Sequence, residues 1–165
     1  MEYKAPLRDM RFVLHELFDA TGHCELLGNG LDRELIDGVL EDALAYVMQR
    51  KAFGRYIGEF QALQHYIADI ATMQKTTELL LHFCASKQAR GEPVGNEANM
   101  LKLHASEAAN QAADLGIQML GGMGYSAETD MQRYWRDSRL WRIGPITNEM
   151  VKNGIAQSLG LPRSY

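Results

Sequence analysis

Apolar residues recur at intervals of three and four along most of this 165-residue chain, which is the spacing of one face of an α-helix. Near the N-terminus this spacing predicts a helix over about residues 6–19, with Pro6 in its first turn. The glycine-bearing stretch from Thr21 to Gly30 predicts a break. Asp32 then predicts the N-cap of a second helix over about residues 32–50.

Two longer helices are predicted in the middle of the chain. An apolar stripe predicts the third helix over about residues 59–90. The members of this stripe are Phe60, Leu63, Ile67, Ile70, Met73, Leu80 and Phe83. Asn96 predicts the cap of a fourth helix over about residues 96–119. Small side chains let helix axes approach closely, so the alanines of this helix predict a buried seam at the centre of the fold. The alanines that define the seam are Ala98, Ala105, Ala108 and Ala112.

The C-terminal part of the chain predicts two shorter helices, over about residues 130–137 and 147–159. The stretch from Lys51 to Gly58 contains two glycines and indicates a turn. No segment alternates apolar and polar residues between turn signals, as a half-buried strand would. The pattern therefore predicts an all-α fold.

Composition narrows the classes of function. The chain is 46% hydrophobic and 23% charged, which is typical of a globular domain with a real core. A net charge of -4 disfavours nucleic acid as a partner, since nucleic-acid binding uses clustered basic residues. No apolar run is long enough to cross a membrane. The N-terminal residues are too polar for a signal peptide, so a cytoplasmic location is predicted. Cys24 and Cys84 lie far apart and away from spaced histidines, so no metal site is predicted.

Several motifs admit two interpretations when each is taken alone. Arg50 and Phe53, in the sequence RKAFG, end a predicted helix, where a guanidinium complements free carbonyls and a phenyl ring can plug a core. The alternative is that Arg50 binds a pyrophosphate with its fork of donors. Gln61 by itself indicates a solvated helix residue. The QMLGG sequence of residues 118–122 is either a helix C-terminus or a point of close approach to a cofactor.

The order of these motifs is more specific than any one of them. RKAFG is followed by EFQ, an alanine-rich helix, QMLGGMGY, RDSRLWRI and TNEM. In this order and spacing the chain from about Tyr46 to Tyr165 resembles the C-terminal helical domain of the flavin-dependent acyl-CoA dehydrogenases. The resemblance implies an up-and-down four-helix bundle, here with an extra N-terminal helix. It also implies a homo-oligomer, either a dimer or a tetramer, because this domain forms subunit contacts in the family.

The resemblance further implies a cofactor and a substrate class. FAD is the implied cofactor and acyl-CoA the implied ligand. The positions that match the family's contacts with the FAD of a neighbouring subunit are Arg50, Phe53, Gln61, Gln118, Gly121 and Gly122. Thr147 matches a contact with the flavin end.

One departure from the family concerns catalysis. Pro145 stands where many members place the carboxylate that removes the α-proton of the acyl thioester, and proline has no group that accepts a proton. A second family position for this carboxylate falls near Glu25, where the surrounding sequence does not match. Glu149 lies one turn beyond Pro145, but a glutamate in a first helical turn ordinarily complements the helix dipole. No catalytic residue is therefore assigned.

The first 45 residues differ in character from the rest. They resemble the extreme N-terminus of longer family members, which predicts an N-terminal helical segment over residues 1–45 and a helical bundle over residues 46–165, without the family's middle β domain. Three hypotheses follow. The first is a family protein that binds FAD or acyl-CoA as part of a larger assembly, with the missing parts on another chain, and that is inactive as an isolated chain. The second is a non-catalytic helical oligomerisation module or subunit, and the third is an unrelated four-helix binding protein. The motif order disfavours the third.

Overall fold

The computed structural model describes residues 24–163, with side chains from Asp32 onward. In chain order the elements are helix α1 (Cys24–Gln49), strands β1 (Lys51–Ala52) and β2 (Arg55–Tyr56), a 3-10 turn (Ile57–Glu59), and helices α2 (Gln61–Ala89), α3 (Gly95–Leu120), α4 (Gly122–Tyr125), α5 (Met131–Trp141) and α6 (Asn148–Ser158). The predicted helix over residues 6–19 lies outside the described residues.

The all-α fold is confirmed, and the helices predicted over residues 59–90, 96–119 and 147–159 agree with α2, α3 and α6. The predicted turn at Lys51–Gly58 contains a minimal antiparallel hairpin, in which Lys51 pairs with Tyr56 and Ala52 with Arg55. The helix predicted over residues 130–137 extends to Trp141.

The predicted break between Thr21 and Gly30 is wrong for Cys24–Gly30, which belong to α1. Glycine lowers helix propensity by about 1 kcal/mol relative to alanine, but it keeps its backbone N–H and does not prevent a helix. Asp32 is consequently an interior residue of α1 and not its N-cap. Its side chain is 2% exposed.

Helix α3 lies at the centre of the bundle and contacts α1, α2, α4, α5 and α6. Its predicted alanine seam is confirmed, because none of its four members is more than 5% exposed. The prediction that Asn96 caps this helix is wrong. Val94 occupies the N-cap position, and the Asn96 side chain instead accepts a hydrogen bond of 2.9 Å from the Ser158 hydroxyl.

The predicted apolar stripe of α2 is only partly buried. Ile70 is fully buried, whereas Phe83 is 50% exposed. The residues that α2 buries completely are Ile70, Thr77 and Cys84, which recur every seven positions. Two of them are small, so the helix packs through a narrower seam than the large apolar residues suggested.

The connections between helices define an up-and-down bundle. Gln74 on α2 donates a 2.6 Å hydrogen bond to Asp37 on α1, and Thr76 on α2 lies 3.0 Å from His104 on α3. These contacts join the middles of helices that short turns connect, so successive helices run antiparallel. Helices α5 and α6 pack end to end along α3, with α5 beside its C-terminal half and α6 beside its N-terminal half. Together they form the fourth helix of the bundle, interrupted between Trp141 and Asn148.

Within residues 24–163, none of the helices combines the length and the hydropathy that a bilayer-spanning segment requires.

Candidate functional site

One end of the bundle brings together most of the predicted site residues. Because successive long helices are antiparallel, α1 ends, α2 begins and α3 ends at the same end of the molecule. Arg50 directly follows α1, and its backbone joins the helix to the hairpin. Its N–H donates to the Tyr46 carbonyl at 2.9 Å, and its carbonyl accepts from the Ile57 N–H at 2.9 Å. The Arg50 side chain itself is exposed.

Phe53 has the most unusual backbone of the described residues. It forms the turn of the hairpin with Gly54, and it is the one non-glycine among them with a positive φ, 53°. Such hairpin turns favour asparagine or glycine, and a bulky residue in this conformation is uncommon. Its ring contacts Phe60 edge-on at 6.2 Å between centroids, yet the residue is 94% exposed. The interpretation that Phe53 plugs the core is therefore wrong.

The hairpin around Phe53 is basic and aromatic. The Arg55 guanidinium lies 4.0 Å from the centroid of the Phe60 ring, and the Lys51 ammonium lies 4.5 Å from that of Tyr56. Cations held over ring faces in this way are attracted by the ring quadrupole. With Arg50, the two hairpin cations give this end of the bundle a positive, aromatic surface.

The remaining residues at this end are exposed polar and glycine positions. Gln61 is the first residue of α2, and Gln118 lies in the last turn of α3. Gly121 follows α3 with φ 61°, and its N–H donates to the Ile117 carbonyl at 2.8 Å, so it does terminate the helix. A Cβ placed on Gly121 or Gly122 would meet nothing within 4 Å. The glycine pair therefore borders open space, and a ligand there can approach the backbone of the pair closely.

An apolar groove of about 540 Å³ opens between α1 and α2 near this end. Val47, Leu63 and Ile67 line its apolar side, and Glu59 and Gln64 lie among its polar lining. Met48, also in the lining, is 69% exposed.

Thr147 lies elsewhere. It is the N-cap of α6, and its hydroxyl accepts a hydrogen bond of 3.3 Å from the Met150 N–H. The next residue, Asn148, contacts Glu107 on α3. A helix rises about 1.5 Å per residue, so Gly121 lies roughly 20 Å along α3 from Glu107. The structure therefore separates Thr147 from the other predicted site residues.

Glu149 is the one acidic residue of α6, the helix that begins three residues after Pro145. Glu149 is exposed in the first turn of the helix. Its own backbone N–H lowers the pKa of its carboxyl, with a further contribution from the Thr147 hydroxyl. A carboxylate stabilised in its ionised form is a weaker base, as expected of a residue that complements a helix N-terminus.

A buried polar network, which sequence patterns did not predict, joins α6 to α3. Asn148 is 1% exposed, and both the oxygen and the nitrogen of its side-chain amide form hydrogen bonds. Its oxygen accepts from the Lys102 ammonium at 2.5 Å and the Ser106 hydroxyl at 3.1 Å, and its nitrogen donates to a Glu107 carboxylate oxygen at 2.9 Å. Side chains of these types are usually solvated, and their spacing along the chain does not reveal that they meet.

Asp32 lies near this network. Burial raises the pKa of its carboxyl from 3.8 to about 7, and the charge of Lys102 offsets part of that rise. One of its oxygens has no hydrogen-bond partner among the described residues. Over the same residues, no group of three or more histidine, cysteine, aspartate or glutamate side chains is arranged to hold a metal ion.

Comparison with known proteins relates the chain to one family. The residue pattern of the family described as acyl-CoA dehydrogenase, C-terminal domain, matches residues 34–160. The short/branched chain specific acyl-CoA dehydrogenase of Bos taurus is 34% identical over 122 residues, which cover 74% of this chain and 28% of that protein. The chain spans roughly 30% of the length of the curated relatives that it matches, from 28% to 32%.

Solved structures agree with this relationship. The butyryl-CoA dehydrogenase of Megasphaera elsdenii superposes with a TM-score of 0.80 at 27% identity, over 82% of this chain and 36% of that one. A structure described as the FAD complex of PigA superposes with a TM-score of 0.76 at 29% identity, over 90% of this chain and 38% of that one.

Proposed function

We propose that this chain, which belongs to the acyl-CoA dehydrogenase family, is the FAD-contacting helical part of an oxidoreductase that acts on acyl-CoA thioesters. The main support is the end of the bundle where α1, α2 and α3 meet, because exposed residues at that end match the family's cofactor contacts. Bound FAD would supply the hydride acceptor for α,β-dehydrogenation.

Three features of that end fit the cofactor. Arg50 presents an exposed guanidinium, which suits the pyrophosphate. Phe53 holds an aromatic ring in solvent at a positive φ, a combination that the needs of the hairpin do not explain. Gly121 and Gly122 border open space, so a cofactor can approach their backbone. Gln61 and Gln118 add exposed amide donors and acceptors beside them.

The second proposed contact is Thr147. Its separation of roughly 20 Å from the glycine pair, reckoned along α3, agrees with a role toward a different part of the cofactor or a different cofactor molecule. This division matches the resemblance, in which Arg50 and its neighbours contact the FAD of a neighbouring subunit and Thr147 contacts a flavin end.

A non-catalytic oligomerisation module is the second candidate. It is favoured by the residues around the family's base position. Pro145 accepts no proton, and Glu149 has a lowered pKa. We therefore expect the 165-residue chain, supplied with FAD, to show no acyl-CoA-dependent reduction of an electron acceptor. Turnover that is lost in Glu149→Gln would contradict this expectation and assign Glu149 as the base.

Binding of FAD to the purified chain tests the proposal most directly. Flavin fluorescence would be titrated with the wild-type protein and with Arg50→Ala, and we expect the variant to bind about 10- to 150-fold more weakly, the scale of one charge-assisted hydrogen bond. Arg90→Ala is a matched control, because Arg90 is also an exposed arginine directly after a long helix but lies at the opposite end of α2.

The two candidate functions predict different titrations. Wild-type binding that Arg50→Ala weakens and Arg90→Ala leaves unchanged would support the cofactor-contacting role. Equal weakening by both arginine variants would indicate non-specific attraction of the cofactor. No binding at all would leave the oligomerisation module as the better interpretation.

A further inference from the structure

The interruption of the fourth helix is held at both ends by one residue of α3. The Glu107 carboxylate faces the residues that flank the loop from Ile143 to Thr147. One of its oxygens lies 3.1 Å from the Arg142 Nε, and the other accepts a 2.9 Å hydrogen bond from the Asn148 amide. The Arg142 Nε–H is not aligned for a hydrogen bond, so its contact with Glu107 is an ion pair.

Additional bonds fix the two residues that Glu107 contacts. Arg142 donates from a terminal nitrogen to the Asn110 side-chain oxygen at 3.3 Å, and its carbonyl accepts from the Asn148 N–H at 3.1 Å. Asn148 is buried, and Lys102 and Ser106 hold its amide oxygen. At the base of the loop, polar contacts therefore join Arg142 and Asn148 to each other and to α3, and Glu107 contacts both residues.

The loop itself has little apolar packing to define its shape. Ile143 is 53% exposed and Ile146 is 45% exposed, and Pro145 is exposed as well. A Cβ placed on Gly144 would meet only the Leu140 carbonyl oxygen, at 3.9 Å. Side chains that face solvent contribute little to fixing a backbone, so the contacts at the ends of the loop set its conformation.

We infer that Glu107 is a positioning residue that fixes the loop from Ile143 to Thr147 by holding Arg142 and Asn148 together. Its relevance to function rests on the proposed cofactor role of Thr147, but the effect on the loop does not. Removing the carboxylate takes away the side-chain bridge between the two ends, so that only the backbone hydrogen bond from the Asn148 N–H to the Arg142 carbonyl joins them directly. The buried face of α3 stays intact, since the Glu107 side chain is 40% exposed.

Hydrogen exchange followed by mass spectrometry tests this inference on the full chain without cofactor. In Glu107→Ala we expect amides of residues 143–148 to exchange at least about tenfold faster, with α1 and α2 unchanged. Glu107→Gln keeps an acceptor for Asn148 but loses the charge that faces Arg142, so an intermediate rate is expected. Asp114→Ala, which removes an exposed carboxylate elsewhere on α3, is the matched control and should exchange like the wild type.

Two outcomes would overturn the inference. In the first, the loop of Glu107→Ala exchanges as slowly as that of the wild type. In the second, exchange rises equally in α1, α2 and the loop, which would mean that Glu107 supports the whole bundle. If Glu107→Ala does not fold, Glu107→Gln gives the same comparison. Failure of the chain to bind FAD would refute the proposed function but would leave the exchange result and its meaning unchanged.

Discussion

At the scale of single residues, Asp32 makes the stability of the protein depend on pH. Its pKa is raised from 3.8 to about 7, so between these values the folded protein binds more protons than the unfolded chain. The contribution of Asp32 to stability is therefore fully present below pH 4 and is lost as the pH rises toward 7. The loss is at most about 1.4 kcal/mol per pH unit.

Asp32→Asn removes this dependence. We expect the variant to be more stable than the wild type at pH 8, with an advantage that shrinks as the pH falls to 5, because the wild-type carboxyl becomes neutral there. Urea unfolding at several pH values measures the difference. Glu34→Gln, which removes an exposed carboxylate two residues away on α1, is the matched control for the loss of a carboxylate. If the free energy of unfolding depends on pH in the same way in Asp32→Asn and the wild type, ionisation of Asp32 does not destabilise the folded protein, and the prediction is wrong.

Sequence patterns predict residues that act through local geometry better than residues that act through long-range contacts. Gly121 could be identified as a helix terminator because its position after an apolar repeat is a local signal. Asp32 could not be assigned correctly, since aspartate favours N-caps in general and its burial depends on distant parts of the chain. The partners of Asn148 come from positions about 40 residues earlier, and spacing contains no information about such a meeting.

At the scale of elements, the alanine seam of α3 is the most restrictive contact. Ala108 is 5% exposed and belongs to the main core cluster with Ala109, Ala112 and Val39. Ala108→Leu adds three carbon atoms where helices already pack closely, and we expect a loss of about 1–3 kcal/mol in the free energy of unfolding. Thermal unfolding measures the loss. Ala85→Leu on the exposed side of α2 controls for the change in residue type and should alter stability by less than about 0.5 kcal/mol.

An unchanged melting temperature in Ala108→Leu would contradict the burial of the alanine seam of α3. The seam was predictable because seven-residue periodicity is a property of one helix alone. The extension of α1 to Cys24 was not predicted, because it depends on how neighbouring helices pack, which can override the weak local preference of glycine. The division of the fourth helix into α5 and α6 agrees with the two short helices that the sequence predicted.

At the scale of the whole molecule, residues of the candidate site that are distant in the sequence lie close together in the fold. Arg50, Gln61 and Gly121 are far apart along the chain but share one end of the bundle, because each lies at a terminus of a long antiparallel helix. The sequence analysis grouped these residues only through the family resemblance, and the up-and-down topology supplies the physical reason why they lie together. The identity of a ligand at that end could not be predicted from residue spacing, because spacing within one chain contains no information about the ligand.

The distribution of apolar side chains predicts association of the chain with itself. Leu140 is 61% exposed and Ile143 is 53% exposed, so the end of α5 and the adjoining loop present apolar surface to solvent. Apolar surface removed from water stabilises a complex by about 25 cal/mol per Å², and contiguous exposed patches are typical of interfaces. We expect a dimer or tetramer by light scattering, as the family resemblance also implies. The double variant Leu140→Ser with Ile143→Ser should shift the protein toward its monomer mass.

Leu79→Ser provides the matched control for this experiment. Leu79 is 62% exposed, almost the same as Leu140, but it lies in the middle of α2. If the α5 face forms the contact, the control keeps the wild-type mass while the double variant dissociates. If Leu79→Ser dissociates and the double variant does not, the protein associates through α2, and the assignment of the interface to α5 is wrong. A monomer mass for the wild type at high concentration would refute self-association, because such exposed apolar surfaces would then lie in water without a partner copy.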